Sequence, residues 1–167
     1  MWSSRGVRGI AFALVLLAAP ALTACSGVTP VYGPQGIGTQ KLALAYAKPT
    51  NRFEQVIYED LALKLGKASG PAPTLSISAT AFARDLTSES NTNNVPAVQR
   101  QEQLSAAIKL TDVNGKLVFS GMRSASADFT TNSQGLASNR AEQDAAIRAA
   151  HALAETIRLT LLGILTQ

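Results

Sequence analysis

The chain has 167 residues, 46% of them hydrophobic, with 15 Lys and Arg against 11 Asp and Glu, one His and one Cys. That length is enough for one domain with a real core. A single Cys excludes an internal disulfide, and basic residues scattered without interleaved aromatics exclude a nucleic-acid surface.

Arg5 and Arg8 precede the apolar run from Ile10 to Ala19, the order of a secretory signal peptide. The run is too short to span a bilayer, which takes about 20 apolar residues. It ends in Leu22-Thr23-Ala24-Cys25, which resembles the bacterial lipobox, and the resemblance implies cleavage before Cys25 and a diacylglycerol on its sulfur. An ordinary signal peptide followed by a free thiol is the other reading. An Asp at position 26 would resemble an inner-membrane retention signal, and Ser26 stands there instead. Loss of residues 1–24 leaves 143 residues and 13 basic against 11 acidic side chains.

Residues 25–39 are rich in Gly and Pro and read as a lipidated tether; residues 40–167 then form a single α+β domain. Leu42, Leu44 and Tyr46 alternate over Gln40–Lys48, a strand signal. Asn51 and Glu54 have capping-box spacing, in which each side chain satisfies the other's backbone N–H. Phe53, Val56, Ile57, Leu61 and Leu65 follow at helical intervals, so a helix is expected over 52–65, with Gly66 as a left-handed C-cap.

Gly70-Pro71-Ala72-Pro73 breaks the chain. Leu75, Ile77, Ala79 and Ala81 then alternate with polar neighbours, as in a strand with one face in the core. The polar stretch 86–99 reads as a long loop, and Leu104, Ala106, Ile108 and Leu110 restart the alternation. Asn114-Gly115 predicts a type I′ hairpin turn with positive φ at both residues, and the returning strand runs from Leu117 to about Phe129. After a polar loop over 130–138, Asn139 and Glu142 repeat the capping-box spacing. Ile147, Ala150, Ala154, Ile157, Leu161 and Ile164 form the stripe of a closing helix. Two amphipathic helices and a sheet with one apolar face predict a two-layer α+β sandwich, both helices on one face of a four-stranded, mainly antiparallel sheet.

For catalysis the sequence offers little. His151, the only His, falls beside the apolar stripe of the last helix, and Glu59 and Asp60 are helix neighbours that do not face each other. No nucleophile elbow, phosphate-binding glycine loop or His/Cys metal spacing occurs. Asp112-Val113-Asn114-Gly115 is better read as a turn than as a calcium loop, which needs acidic ligands further on. The expectation is a non-enzymatic binding or assembly module with no cofactor and no metal. Arg84, Arg100, Lys116 and Arg123 fall near the strand ends, where together they suit an anionic amphiphile through charge-assisted hydrogen bonds.

The segment Cys25-Ser26-Gly27-Val28-Thr29-Pro30-Val31-Tyr32-Gly33 resembles the start of the LPS-assembly lipoprotein LptE family. Asn51-Arg52-Phe53-Glu54-Gln55, the following Leu61 and Leu65, and the Ala-rich last helix extend the likeness over nearly the whole mature chain; the family more often has Gly where Ser26 stands. The resemblance implies an outer-membrane lipoprotein, anchored on the periplasmic side, that plugs and helps assemble the LptD-type β-barrel and binds lipopolysaccharide on its way to the outer leaflet. On that reading Arg84, Arg100, Lys116 and Arg123 meet lipopolysaccharide, and Ser90, Asn93 and Val95 in the polar loop meet the barrel. An auxiliary lipoprotein of a phospholipid-transport system, or a structural envelope lipoprotein, is the alternative. The anchor is directly testable: a palmitate analogue fed to cells should label the wild-type chain, and Cys25→Ala should abolish the label.

Overall fold

Period-2 alternation in three long segments builds the sheet. In β2 (Thr74–Asp85) Leu75, Ile77 and Ala79 are buried while Ser76, Ser78 and Thr80 face solvent. β3 (Val98–Thr111) buries Leu104, Ala106, Ile108 and Leu110 on the same side, and β4 (Leu117–Thr131) follows with the same alternation. The computed structural model describes residues 42–86 and 97–165. Within them a short β1 (Ala45–Tyr46) precedes α1 (Arg52–Leu65), and α2 (Gly135–Leu165) closes the chain. The sheet order is β1-β2-β3-β4, with β1 parallel to β2 and the other pairs antiparallel. The architecture is the expected α+β sandwich.

Ile57, Leu61 and Leu65 of α1 and Leu153, Ile157 and Leu161 of α2 share one core with the inward strand residues. Fully burying each such side chain is worth about 1.5–3 kcal/mol, which docks both helices on one face. Toward its N-terminus the buried residues of α2 are Ala145, Ala146, Ala149 and Ala150, small side chains that keep the helix close to the strands.

Several boundaries depart from the sequence reading. The strand expected over 40–48 shrinks to two residues because Leu42 N and Ala43 N both donate to Leu65 O, at 2.8 and 3.1 Å, and Ala43 takes a φ of +47°. Those N–H groups are spent on the C-terminus of α1 and cannot join a ladder. Leu44 is nonetheless fully buried, and Leu42 and Tyr46 pack on the core. The β3–β4 turn is not type I′, since Gly115 alone carries positive φ, at +79°. Gly115 N donates to Asp112 O at 3.1 Å, Asp112 N donates to Lys116 O at 2.8 Å, and the Asp112 carboxylate accepts from Asn114 N and Lys116 N. This is the three-residue form that ends in a glycine bulge.

Helix α2 starts four residues before Asn139. Asn132 Oδ1 accepts from Gln134 N at 2.9 Å, and Ser138 Oγ both accepts from Asn132 N and donates to Asn132 O. This knot of side-chain bonds starts the helix at Gly135 and leaves Asn139 inside it. Its buried face is turned slightly from the predicted stripe, and Ile147 and Ile164 are only half-buried.

Helix α1 has the predicted limits, capped at Asn51, whose side chain accepts from Glu54 N at 2.9 Å. Gly66 ends it with φ +90° and ψ 164°, a positive φ but an extended ψ, open almost only to glycine. The reciprocal bond of the box is displaced by one residue. Glu54 Oε2 accepts from Thr50 N at 2.6 Å and Thr50 Oγ1 at 2.8 Å, while Oε1 accepts from Asn51 Nδ2 and from Ala79 N, both at 3.1 Å. Glu54 is 1% exposed. Burial pushes its pKa up, but the hydrogen bonds from Thr50, Ala79 and Asn51 outweigh burial and hold it below the ordinary 4.5.

A carboxyl with a depressed folded pKa stabilises the fold above its unfolded pKa, and that contribution is lost as pH falls through the folded value. Glu54→Ala should cost about 3 kcal/mol near neutral pH, because it strands a buried N–H and removes charge-assisted bonds. Urea unfolding checks this. Glu54→Gln should lose less, and its deficit relative to wild type should shrink as the buffer is taken below pH 4.5.

Candidate functional site

With both helices on one face, the other face of β2–β4 is covered by no element among the described residues. It is mostly small and polar, with Ser76, Ser78 and Thr80 on β2 and Ser124 and Ser126 on β4 all exposed. Phe82, Met122 and Val118 interrupt it, exposed by 51, 69 and 48%. Across three strands Arg84 Nε donates to Gln101 Oε1 at 3.0 Å, and Gln101 Nε2 donates to Asp128 Oδ1 at 2.9 Å. That ladder ties the far ends of β2, β3 and β4.

The four cations singled out from the sequence fall in different places. Arg84 belongs to this outer ladder. Arg100 is near the same end, paired in register with Asp85 and Phe129, and its Nε donates to Asp85 Oδ1 at 2.6 Å while the guanidinium lies 5.7 Å over the Phe129 ring. Arg123 is at mid-strand on the helix side, donating to Thr160 Oγ1 on α2 at 3.0 Å and lying 6.0 Å over Phe119. Lys116 is in the β3–β4 turn at the opposite end, 12 residues of β4 from the Phe129 level, about 40 Å at strand rise. Arg84 and Arg100 thus share one end of the sheet but on opposite faces, whereas Arg123 and Lys116 stand apart. Cys25, Ser90, Asn93 and Val95 lie outside the described residues.

Sequence reasoning missed the contacts between the helices. His151 Nδ1 lies 2.7 Å from Asp60 Oδ2, so Asp60 is an interhelical partner. Lys64 Nζ donates to Glu155 Oε2 at 2.9 Å, and Glu155 also accepts from Arg158 Nη2 at 2.7 Å. The Arg158 hydrogen bond, helped by Lys64 and opposed by burial, pulls the Glu155 carboxyl down to about 2. Only the pairing of opposite charges on two helices of unknown orientation could have signalled these contacts. The sequence does not supply that orientation. Among the described residues no helix is long and apolar enough to cross a membrane.

The profile of a family described as LptE, lipopolysaccharide-assembly, matches residues 39–161, most of the chain. This chain belongs to the LptE family. A comparison with curated proteins gives no match. Among solved structures, a candidate lipoprotein of Caulobacter crescentus CB15 superposes with a TM-score of 0.55 at 22% identity, covering 74% of this chain and 90% of that one. A minor lipoprotein of Acinetobacter baumannii gives 0.50 at 16% identity over 75 and 92% of the two chains. Rare lipoprotein B of Shewanella oneidensis gives 0.50 at 16% over 74 and 94%. At these identities the likeness shows a shared fold, and the LptE profile carries the family.

The contacts of the cations separate structural from available charge in this LptE-family chain. Arg123→Ala should lower stability by about 1 kcal/mol by removing the Thr160 bond and the ring contact. Lys116→Ala, whose side chain has no partner among the described residues, should change it by less than about 0.5 kcal/mol. Paired denaturant titrations measure both.

Proposed function

We propose that this chain is a non-enzymatic outer-membrane lipoprotein of lipopolysaccharide assembly, anchored through Cys25, that seats in an LptD-type barrel and contacts lipopolysaccharide. The observation that carries the reading is the family match over residues 39–161. The open sheet face supports the barrel contact, because its Ser and Thr hydroxyls can exchange water for hydrogen bonds inside a polar lumen at small desolvation cost. Ser90, Asn93 and Val95 are proposed to meet the barrel from the segment joining β2 to β3. That segment leaves the sheet at the Asp85 and Arg100 end.

Arg84, Arg100, Lys116 and Arg123 remain the candidates for lipid phosphates, now divided between two ends of the sheet with Arg123 between them. Lys116 has the least to give up on binding, since its ammonium has no side-chain partner among the described residues.

Photo-crosslinkers at Ser90, Asn93 and Val95 in cells should yield an adduct of barrel size, and the tagged chain should copurify with the barrel. Charge reversal at Lys116, or jointly at Arg84 and Arg100, should weaken lipopolysaccharide binding several-fold more than reversal at Lys67, and less so in high salt, where exposed charges are screened. Capture of inner-membrane transport proteins in place of a barrel overturns the reading, and so does equal loss of lipopolysaccharide from every reversal.

A further inference from the structure

A cleft of about 650 Å³ opens where the first turn of α1 and the first turns of α2 part above β3. Arg52, Phe53, Glu102, Arg140, Glu142 and Ile147 contribute to its walls. Glu102 takes the inward position of β3, two residues before fully buried Leu104, and is itself only 4% exposed. Its Oε2 has no hydrogen-bond partner among the described residues. Leaving a buried polar atom unpaired is costly, and more so when it is charged, yet no described residue donates to this one.

Two of the neighbouring guanidinium groups are engaged by other carboxylates, while Arg52, also on the wall, has no side-chain partner among the described residues. Arg100 Nε holds Asp85 at 2.6 Å and its Nη1 reaches Glu142 at 3.9 Å, while Arg140 lies 3.5 Å from Asp144. Three carboxylates and two guanidinium groups line the cleft, counting Asp144, which leaves one negative charge in excess. Burial first, and then the charge of Glu142, raise the pKa of Glu102, while Arg100 opposes them. A cation entering the cleft offsets the charge of Glu142 and favours the ionised form of Glu102.

We propose that this cleft binds an alkylammonium group, its charge against the Glu102 carboxylate and its stem along Phe53 and Ile147. A guanidinium fork engages both oxygens of a carboxylate at once, and Glu102 Oε2 is walled off from solvent. An ammonium needs only one point of approach. A neutral hydroxyl or amide leaves the excess charge uncompensated.

The test uses the full chain in detergent micelles with labelled Glu carboxyl carbons and backbone amides, titrated with n-butylammonium, n-butanol and butyrate. Butylammonium should produce saturable NMR shifts at Glu102, Phe53 and Ile147, and the two controls should not. Glu102→Gln should weaken binding by at least about tenfold, the worth of a charge-assisted bond. Ile147→Trp fills the cleft and leaves Glu102 in place, so it should block binding while the folded spectrum persists. Spermidine and Nα-acetyl-lysine methylamide then distinguish a free polyamine from the lysine of a protein segment, whichever saturates at lower concentration naming the source. No saturation by butylammonium, equal binding by Glu102→Gln, or the same shifts from butyrate overturns the proposal. Each of these readouts is independent of barrel or lipopolysaccharide binding.

Discussion

The edge of β2 is the constraint on which the rest of the architecture depends. β1 pairs with it only at Thr74 and Leu75, so beyond them the backbone of β2 needs other partners on that side. Helix α1 supplies them with side chains. Tyr58 Oη accepts from Ile77 N at 2.7 Å and lies 3.4 Å from Ile77 O, Glu54 Oε1 accepts from Ala79 N, and Asn51 Nδ2 donates to Ala79 O at 3.0 Å. Three side chains at helical spacing thus do the work of a neighbouring strand. This fixes how α1 lies along the sheet, and with it where α2 must pack.

Much of this was legible because its causes are local. The limits of α1 follow from a cap at Asn51 and a glycine at position 66, and the inward residues of β2 and β3 follow from alternation. What was not legible had distant causes. The Asn51/Glu54 spacing announces a capping box, yet the Glu54 carboxylate turns to Thr50 and to the backbone of Ala79, 25 residues away. The alternation of Leu42, Leu44 and Tyr46 correctly gave their facing but not the length of β1, because Leu65 O competes for the N–H groups of Leu42 and Ala43. In α2, Asn139 had the right spacing, but Asn132 and Ser138 had the right geometry.

The candidate site was less legible than the fold, for a physical reason. A basic residue in a strand pattern carries no mark of whether its charge is free. Arg123 and Lys116 both read as cations near strand ends, but one is used to hold α2 against β4 and the other tips a turn. Arg84 and Arg100 are both engaged by neighbours on adjacent strands. Glu102 shows the converse: its place in the inward register of β3, with Leu104 and Ala106, was the available sign that an acid would be buried there.

The two faces of the sheet divide the labour of the proposed function. The helix face is saturated by apolar contacts and by the polar ties of α1, so it has little left to offer a partner outside the cleft. Among the described residues the outer face has hydroxyls and three large exposed apolar side chains, Phe82, Val118 and Met122, too little contiguous apolar area to drive a stable association by itself. Contacts of that kind gain strength when the partners are already held together. The proposed lipid anchor at Cys25 would supply this by confining the chain to the membrane that holds the proposed barrel, raising its effective concentration there without any new contact. On the proposed reading a weakly adhesive face is enough to engage the barrel, because confinement to one membrane supplies what the face lacks.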